Sequence, residues 1–188
     1  MTCEILHSEK YLQLKACTRA NGAKWVYAHR PNAKDIAVIV PVVKKEDGEY
    51  ILFLITKRPP LACEGRAKYC LELPAGLVGD IDKNEDINQA LKRELREESG
   101  YEAQDIKICT KNVSSSAGLT SETSTIAIAH IDGTKDYKEP CDNDGGVICD
   151  RKLVKKEDVL NFIEDFEADG NAIGAQTLSG LFFFFFDK

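Results

Sequence analysis

The chain has 188 residues, 43% hydrophobic and 30% charged, a composition that fits one globular domain and excludes a disordered or fibrous chain. Its formal net charge of −6 argues against a surface that coats nucleic acid, so an anionic ligand needs local cations to hold it. The longest apolar run, residues 181–186, is far short of the roughly 20 residues that span a bilayer. The start, MTCEILHSEK, lacks the basic-then-apolar pattern of a secretory signal. Seven scattered cysteines form no C-x-x-C pair, which predicts reduced thiols in a cytoplasmic protein rather than zinc or a redox dithiol.

In chain order, residues 11–30 read as a β-hairpin, because YLQLKAC roughly alternates, Asn21 and Gly22 tolerate positive φ, and WVYAHR resumes the strand. The β-branched run at 35–43 predicts a buried central strand, with Pro41 marking a bulge or an end. Asp47 and Gly48 turn into a strand at 50–58 that Pro59-Pro60 stops. A loop at 61–68 and a short strand at 69–73 follow. A helix begins near 84–86, with Asn84 or Asp86 as its cap and Gln89 suited to a capping box. Gly100 ends it. Strands at 106–110 and 125–131 flank a polar loop at 114–123, and residues 132–146 form a Gly/Asp-rich loop. A weak strand at 147–154 precedes a helix at 157–166 and a last one at about 172–186. Phe182 to Phe186 have no amphipathic period, which predicts burial, partly against a second subunit. No repeat or internal boundary appears, so residues 1–188 form one domain, with N-terminal strands at 1–34 and a core at 35–188. The order of elements predicts an α/β (α+β) fold, a mixed sheet with helices on its faces.

The stretch at 79–101, GDIDKNEDINQALKRELREESGY, organises the rest. Ile87, Ala90, Leu91 and Leu95 step by three and four residues as one apolar helix face. Glu94, Glu97 and Glu98 share an arc of roughly 100°. Each like-charged pair at that spacing costs about 0.2–0.5 kcal/mol, so either solvent or a hard cation must offset the charge. Arg93 lies one turn before Glu97 and can orient it, or is a routine surface pair. Glu85 is either a helix-start acid favoured by the dipole or a metal ligand.

Gly79, Glu85, Arg93, Glu94, Leu95, Glu97, Glu98, Gly100 and Tyr101 match every fixed position of the pattern G-x5-E-x7-R-E-U-x-E-E-x-G-U, U being bulky and apolar. The chain therefore resembles the Nudix hydrolases. The resemblance implies an α/β/α sandwich, glutamates that bind divalent metal (Mg²⁺, with Mn²⁺ as an alternative), and hydrolysis of diphosphates linked to another moiety.

Arg58-Pro59-Pro60 and Leu71-Glu72-Leu73-Pro74-Ala75-Gly76 are similar to a second motif pair, that of the ADP-ribose pyrophosphatase branch. This implies that the Ala75 carbonyl serves a metal, Glu72 is a nearby acid, and Arg58 touches the diphosphate. Without it, Arg58 is a solvated strand end and Glu72 a salt-bridge partner. In that branch the glycine of P-A-G is also the first of the box. Here Gly76 lies nine residues before Glu85 and Gly79 six, which predicts Gly76 as the structural equivalent and a loop grown by three residues.

The same resemblance places Trp25 on a substrate base and Arg30 on the diphosphate; the other reading of Trp25 is a core residue. The loop at 116–122, SAGLTSE, resembles the segment over the terminal ribose, which brings in Gly118, Leu119 and Glu122. A late loop that carries a glutamate in relatives offers only Asp142 and Asp144. The general base is thus open among Glu97, Glu72, Glu122 and Asp144. His29 reads as a strand-surface histidine. The expectation is a cytoplasmic homodimer that completes its sites across N-terminal strands, acts on a small nucleoside diphosphate, and binds neither nucleic acid nor membrane. Alternatives are another Nudix substrate, such as a different sugar nucleotide or an oxidised nucleoside triphosphate, and an ADP-ribose-sensing module without catalysis.

Overall fold

A computed structural model describes residues 2–135, 137–141 and 144–186. The N-terminal strands β1 (Thr2–Ser8), β2 (Gln13–Thr18) and β3 (Lys24–His29) form a three-stranded antiparallel sheet in that order. The predicted hairpin is β2–β3, and Gly22 takes the expected positive φ of 81° at its turn. β1 falls within the strands expected at 1–34 but outside the predicted hairpin, because every one of its seven residues is exposed and no alternation survives. Its Cys3 faces Cys17 across the ladder, and the two form a disulfide. This corrects the expectation of reduced thiols for that pair, since strand pairing, not sequence spacing, brings them together.

β4 (Asp35–Lys45) is the buried central strand the β-branched run predicts. It continues through Pro41, which corrects the expected bulge or end. Along one edge β4 pairs first with β7 (Ala75–Val78), through Val38, and then with β5 (Gly48–Thr56), from Val42. Pro41 falls in the gap between those partners, where its missing N–H breaks no ladder bond. Pro59 and Pro60 open a short helix, α1 (Pro59–Cys63), within what reads as loop, because proline is preset for the first helical turn. β6 (Cys70–Glu72) and β7 follow, the latter too short to signal itself.

Helix α2 (Ile87–Glu94) is capped by Asp86 with the predicted capping box to Gln89. It does not run regularly to Gly100. Residues Leu95–Ser99 form one wide π-type turn before Gly100 closes it at φ 79°. Such turns are rare and favour functional sites. β8 (Asp105–Val113), β9 (Ser124–Asp132), β10 (Ile148–Lys155), α3 (Val159–Ala168), β11 (Ala172–Ile173) and α4 (Ala175–Phe186) complete the chain.

The larger sheet has eight strands, ordered β11-β6-β5-β4-β9-β8, with β10 on β5 and β7 on β4. β4 and β9 run parallel and the β4–β5 and β8–β9 pairs antiparallel, so the sheet is mixed as predicted. Strand alternation splits the core between two faces. Val38, Val40, Val42, Ile126 and Ile128 pack toward α3 and α4 through Phe162, Phe166 and Leu181. Ala37, Ile39, Val43, Ala127 and Ala129 pack on Ala90, Leu91 and Leu95 of the box helix. This is the α/β/α layering the resemblance implies. The phenylalanine run departs from its expectation. Phe183, Phe184 and Phe185 pack on the core, whereas Phe182 and Phe186 are exposed at 58% and 71%. A helix surface passes through all directions within four residues, so five consecutive rings cannot share one buried face.

Candidate active site

Arg93 is the centre of the box. Its Nε donates to Glu85 Oε1 at 2.7 Å, and its Nη2 to Glu85 Oε2 at 3.1 Å and the Leu77 carbonyl at 3.2 Å. Nη1 donates to Glu94 Oε1 at 2.6 Å and Glu97 Oε2 at 3.1 Å. All five guanidinium N–H groups are thereby used. Arg93 orients Glu97, and it also ties the helix start to β7. Glu85 and Glu94 are equally hidden, at 9% and 8% exposure, yet their acidities part. Hydrogen bonds from Arg93 hold the Glu85 carboxyl below its ordinary range, helped by the Gly79 amide at 3.1 Å. Burial pushes Glu94 up to about 7 despite Arg93, and pushes Glu98 up to about 8 although it accepts the Ala75 N–H at 2.9 Å.

Both glycines have a reason to be glycine. A Cβ on Gly76 would lie 1.8 Å from Glu94 Oε1, so only hydrogen leaves room for that carboxylate. Gly79 sits at φ 82° and gives its amide to Glu85. Gly76 thus meets the glutamate layer, as predicted for the structural glycine, while Gly79 retains a separate turn role.

Gly76, Arg93, Glu94, Glu97 and Glu98 line a cavity of about 450 Å³ together with Arg30, Arg58, Glu72, Ala75, Glu122 and Asp144. Arg58 donates through Nε to Glu72 Oε2 at 2.9 Å and through Nη1 to Asp144 Oδ2 at 3.0 Å. The Thr56 hydroxyl also donates to Glu72, at 2.9 Å. Burial works against the Arg58 charge, but Glu72 and Asp144 outweigh it and raise the pKa. Arg30 Nε lies 2.5 Å from Glu122 Oε1 as an ion pair without hydrogen-bond alignment. A cavity of about 600 Å³ lies elsewhere, around Tyr101, Asp132 and Lys138, and holds none of the predicted site residues.

The family model for the NUDIX domain matches residues 33–172. The chain belongs to the Nudix family. It is 32% identical over 144 residues to a Caenorhabditis elegans protein whose name places it among the nudix hydrolases, covering 69% of this chain and 59% of that one. It is 38% identical over 98 residues to the ADP-ribose pyrophosphatase of Saccharomyces cerevisiae, covering 50% of this chain and 38% of that protein. It is 31% identical over 100 residues to the ADP-sugar pyrophosphatase of Mus musculus, covering 53% and 42%. The chain therefore spans less than two thirds of the length of each of these relatives. A crystal structure of an ADP compounds hydrolase superposes with a TM-score of 0.66 at 20% identity, covering 97% of this chain and 89% of that chain, and shares its fold.

Among the residues the Nudix resemblance singles out, Glu72, Ala75, Arg58, Arg30, Arg93, Glu94, Glu97, Glu98 and Glu122 meet on one cavity. Trp25, Gly118 and Leu119 do not line it. Trp25 is no core residue, being 48% exposed, and its Nε1 donates to the Gly118 carbonyl at 2.8 Å. Leu119 is exposed, and its carbonyl accepts the Ala28 N–H at 2.8 Å. These contacts fasten the loop at 116–122 to β3. Asp142 lies outside the described residues. Asp80, Gln176 and Thr177 also line the cavity, the last two from the start of α4. No local pattern marks Gln176 and Thr177, because only the packing of a distant helix puts them there.

The donor set suits a hard divalent cation. Buried carboxylates with raised pKa values lack sufficient positive charge, and oxygen is the ligand such ions take. Among the described residues no three acid, His or Cys side chains are already gathered as a metal cage. Arg93 holds Glu94 and Glu97 instead, and the Ala75 amide holds Glu98.

Proposed function

We propose that this Nudix chain hydrolyses the diphosphate bond of ADP-ribose, or of a related nucleoside diphosphate sugar, to a nucleoside monophosphate and a sugar phosphate. The observation that carries the reading is the convergence of Glu72, Glu94, Glu97 and Glu98 with Arg30 and Arg58 on one cavity. Relatives named ADP-ribose and ADP-sugar pyrophosphatase support the substrate class.

Glu94, Glu97, Glu98 and the Ala75 carbonyl would hold Mg²⁺, with Mn²⁺ as the alternative. When bound, the ion neutralises phosphoryl oxygens and makes water more acidic. Arg30 and Arg58 bind the diphosphate through guanidinium N–H groups not turned to Glu72 and Glu122. Glu97 takes the proton of the attacking water. Its side chain is 30% exposed against 10% for Glu94, and Arg93 contacts only one of its oxygens. Glu72 and Glu122 orient the two arginines, and Arg93 positions the glutamates. Trp25 serves the base end of the ligand in the neighbouring subunit of a homodimer, and the loop of Gly118 and Leu119 lies over the terminal ribose. Exposed Ile5, Leu14, Trp25 and Val26 on the N-terminal sheet support that pairing.

The deciding measurement is product identification after incubation of ADP-ribose with Mg²⁺. AMP and ribose 5-phosphate support the reading, and ADP-ribose left intact overnight overturns it. A monomer by sedimentation would remove the dimer from the proposal. No helix of the described residues is long and apolar enough to cross a membrane. A cytoplasmic location is part of the same proposal, and recovery of the native protein in the cytosolic fraction of lysed cells tests it. Its recovery in a membrane or secreted fraction would count against it.

A further inference from the structure

We propose that a pocket beside the acidic cavity, centred on Lys15, binds a phosphate monoester carried by the substrate in addition to the diphosphate that is cleaved. The inference rests on the diphosphate reading above and extends it to a substrate class, nucleoside diphosphate sugars bearing one further phosphate. The pocket has a volume of about 280 Å³ and is lined by Lys15, Tyr27, His29, Arg30, Ser121 and Glu122. It adjoins the acidic cavity, because Arg30, Ile36 and Glu122 line both. A substrate seated on Arg30 by its diphosphate therefore has this pocket as its neighbouring space.

The charge balance favours an anion. The pocket gathers three cations, Lys15, Arg30 and Lys34, against two acids, Asp35 and Glu122. Asp35 accepts the Thr125 hydroxyl at 2.6 Å, and Glu122 pairs with Arg30. The Lys34 amine is bonded to the Lys83 carbonyl. Lys15, half-buried on β2, has no ion pair among the described residues, in contrast to Arg30, Arg58 and Arg93 around the main cavity. Burial and the Lys15 charge both keep the His29 ring on the neutral side, and its Nδ1 lies 2.9 Å from the Ser121 hydroxyl. A half-buried ammonium without an ion-pair partner is an unfavourable arrangement that an anion relieves. A phosphate monoester brings about two charges and three acceptor oxygens, enough for the Lys15 amine, the Arg30 guanidinium and a hydroxyl or ring N–H.

The test compares ADP-ribose with ADP-ribose 2′-phosphate, in wild type and in Lys15→Met and Lys15→Arg variants that retain the wild-type melting transition. The expected result is a kcat/KM for the phosphorylated compound about tenfold or more above that for ADP-ribose, the scale of one charge-assisted hydrogen bond. The difference lies in KM, is kept by Lys15→Arg, and falls to near unity in Lys15→Met. Calorimetric affinities for the same two compounds give the same ratio without turnover. Tighter binding of the phosphorylated compound with no hydrolysis of either overturns the enzymatic reading and leaves the pocket standing. Equal affinities in wild type, or a preference that survives in Lys15→Met, overturn the pocket.

Discussion

Two parts of the molecule hold their functional side chains on different terms. Around α2, the charged residues lie within a single stretch of 23 positions, and Arg93 binds three of its glutamates at 2.6 to 3.1 Å. At the N-terminal sheet, Trp25 grips the Gly118 carbonyl from 93 positions away, and Arg30 meets Glu122 by the same long-range pairing. The first part is buried, charged and fixed by one helix. The second is exposed and depends on two segments finding each other. Short-range, desolvated charges set the rate of a reaction, whereas long-range surface contacts set what is held and how well. The box should therefore govern kcat, and the N-terminal sheet KM.

The sharpest way to break this contrast is at the glutamates. Glu97→Gln and Glu98→Gln keep side-chain shape and lose only charge, and each should lower kcat by at least about 100-fold with a retained unfolding transition. Activity near wild type in both would end the assignment. Next comes Arg93→Met, which strands Glu85, Glu94 and Glu97. Breaking a buried charge network costs about 3–5 kcal/mol, which denaturant titration would register as a lower midpoint with unchanged slope. Gly76→Ala should follow at about 1–3 kcal/mol, because the new methyl displaces the Glu94 carboxylate and overpacks the site. Trp25→Phe is the mildest substitution. It removes the indole donor to Gly118, worth about 1 kcal/mol, and should raise KM several-fold with kcat nearly unchanged. A fall in kcat alone would erase the distinction between the two parts.

Acidity offers a further test of the box. Burial raises the folded-state pKa of Glu94 to about 7 and of Glu98 to about 8, from an ordinary 4.5. For a carboxyl raised on folding, the folded state holds the extra proton, so stability falls as pH climbs from the ordinary value to the raised one. Metal-free protein should lose this contribution between about pH 4.5 and 8. Added Mg²⁺ should raise the melting temperature more at pH 8 than at pH 5, and equal increments would contradict the assignment of these two residues as its ligands.

What the sequence revealed tracks how local each feature is. The box helix, its Asp86–Gln89 cap and its Gly100 stop were legible because propensity, periodicity and spacing all act within a few turns. The central strand was legible because burial on both faces imposes an unbroken β-branched run. The Cys3–Cys17 pair, the Asp144 contact with Arg58 and the cavity-lining Gln176 and Thr177 were not. Each depends on which distant segments pack together, and no side chain advertises that in its own neighbourhood. The wide turn at Leu95–Ser99 was hidden for a related reason, since periodicity over so few residues cannot tell an α turn from a π turn. Gly76 and Gly79 show a subtler case. The spacing pattern names one glycine, while the structure uses one for contact with Glu94 and the other for backbone direction.

Helix α4 joins two surfaces that the sequence treats as unrelated. Its first turn lines the glutamate cavity with Gln176 and Thr177, and its last turns carry the exposed Phe182 and Phe186. Twelve residues at 1.5 Å each make a rod about 18 Å long, clamped near its middle where Leu181 enters the core. Trimming the chain from residue 175 would not merely remove a greasy tail. It would open one wall of the chamber we propose for the diphosphate.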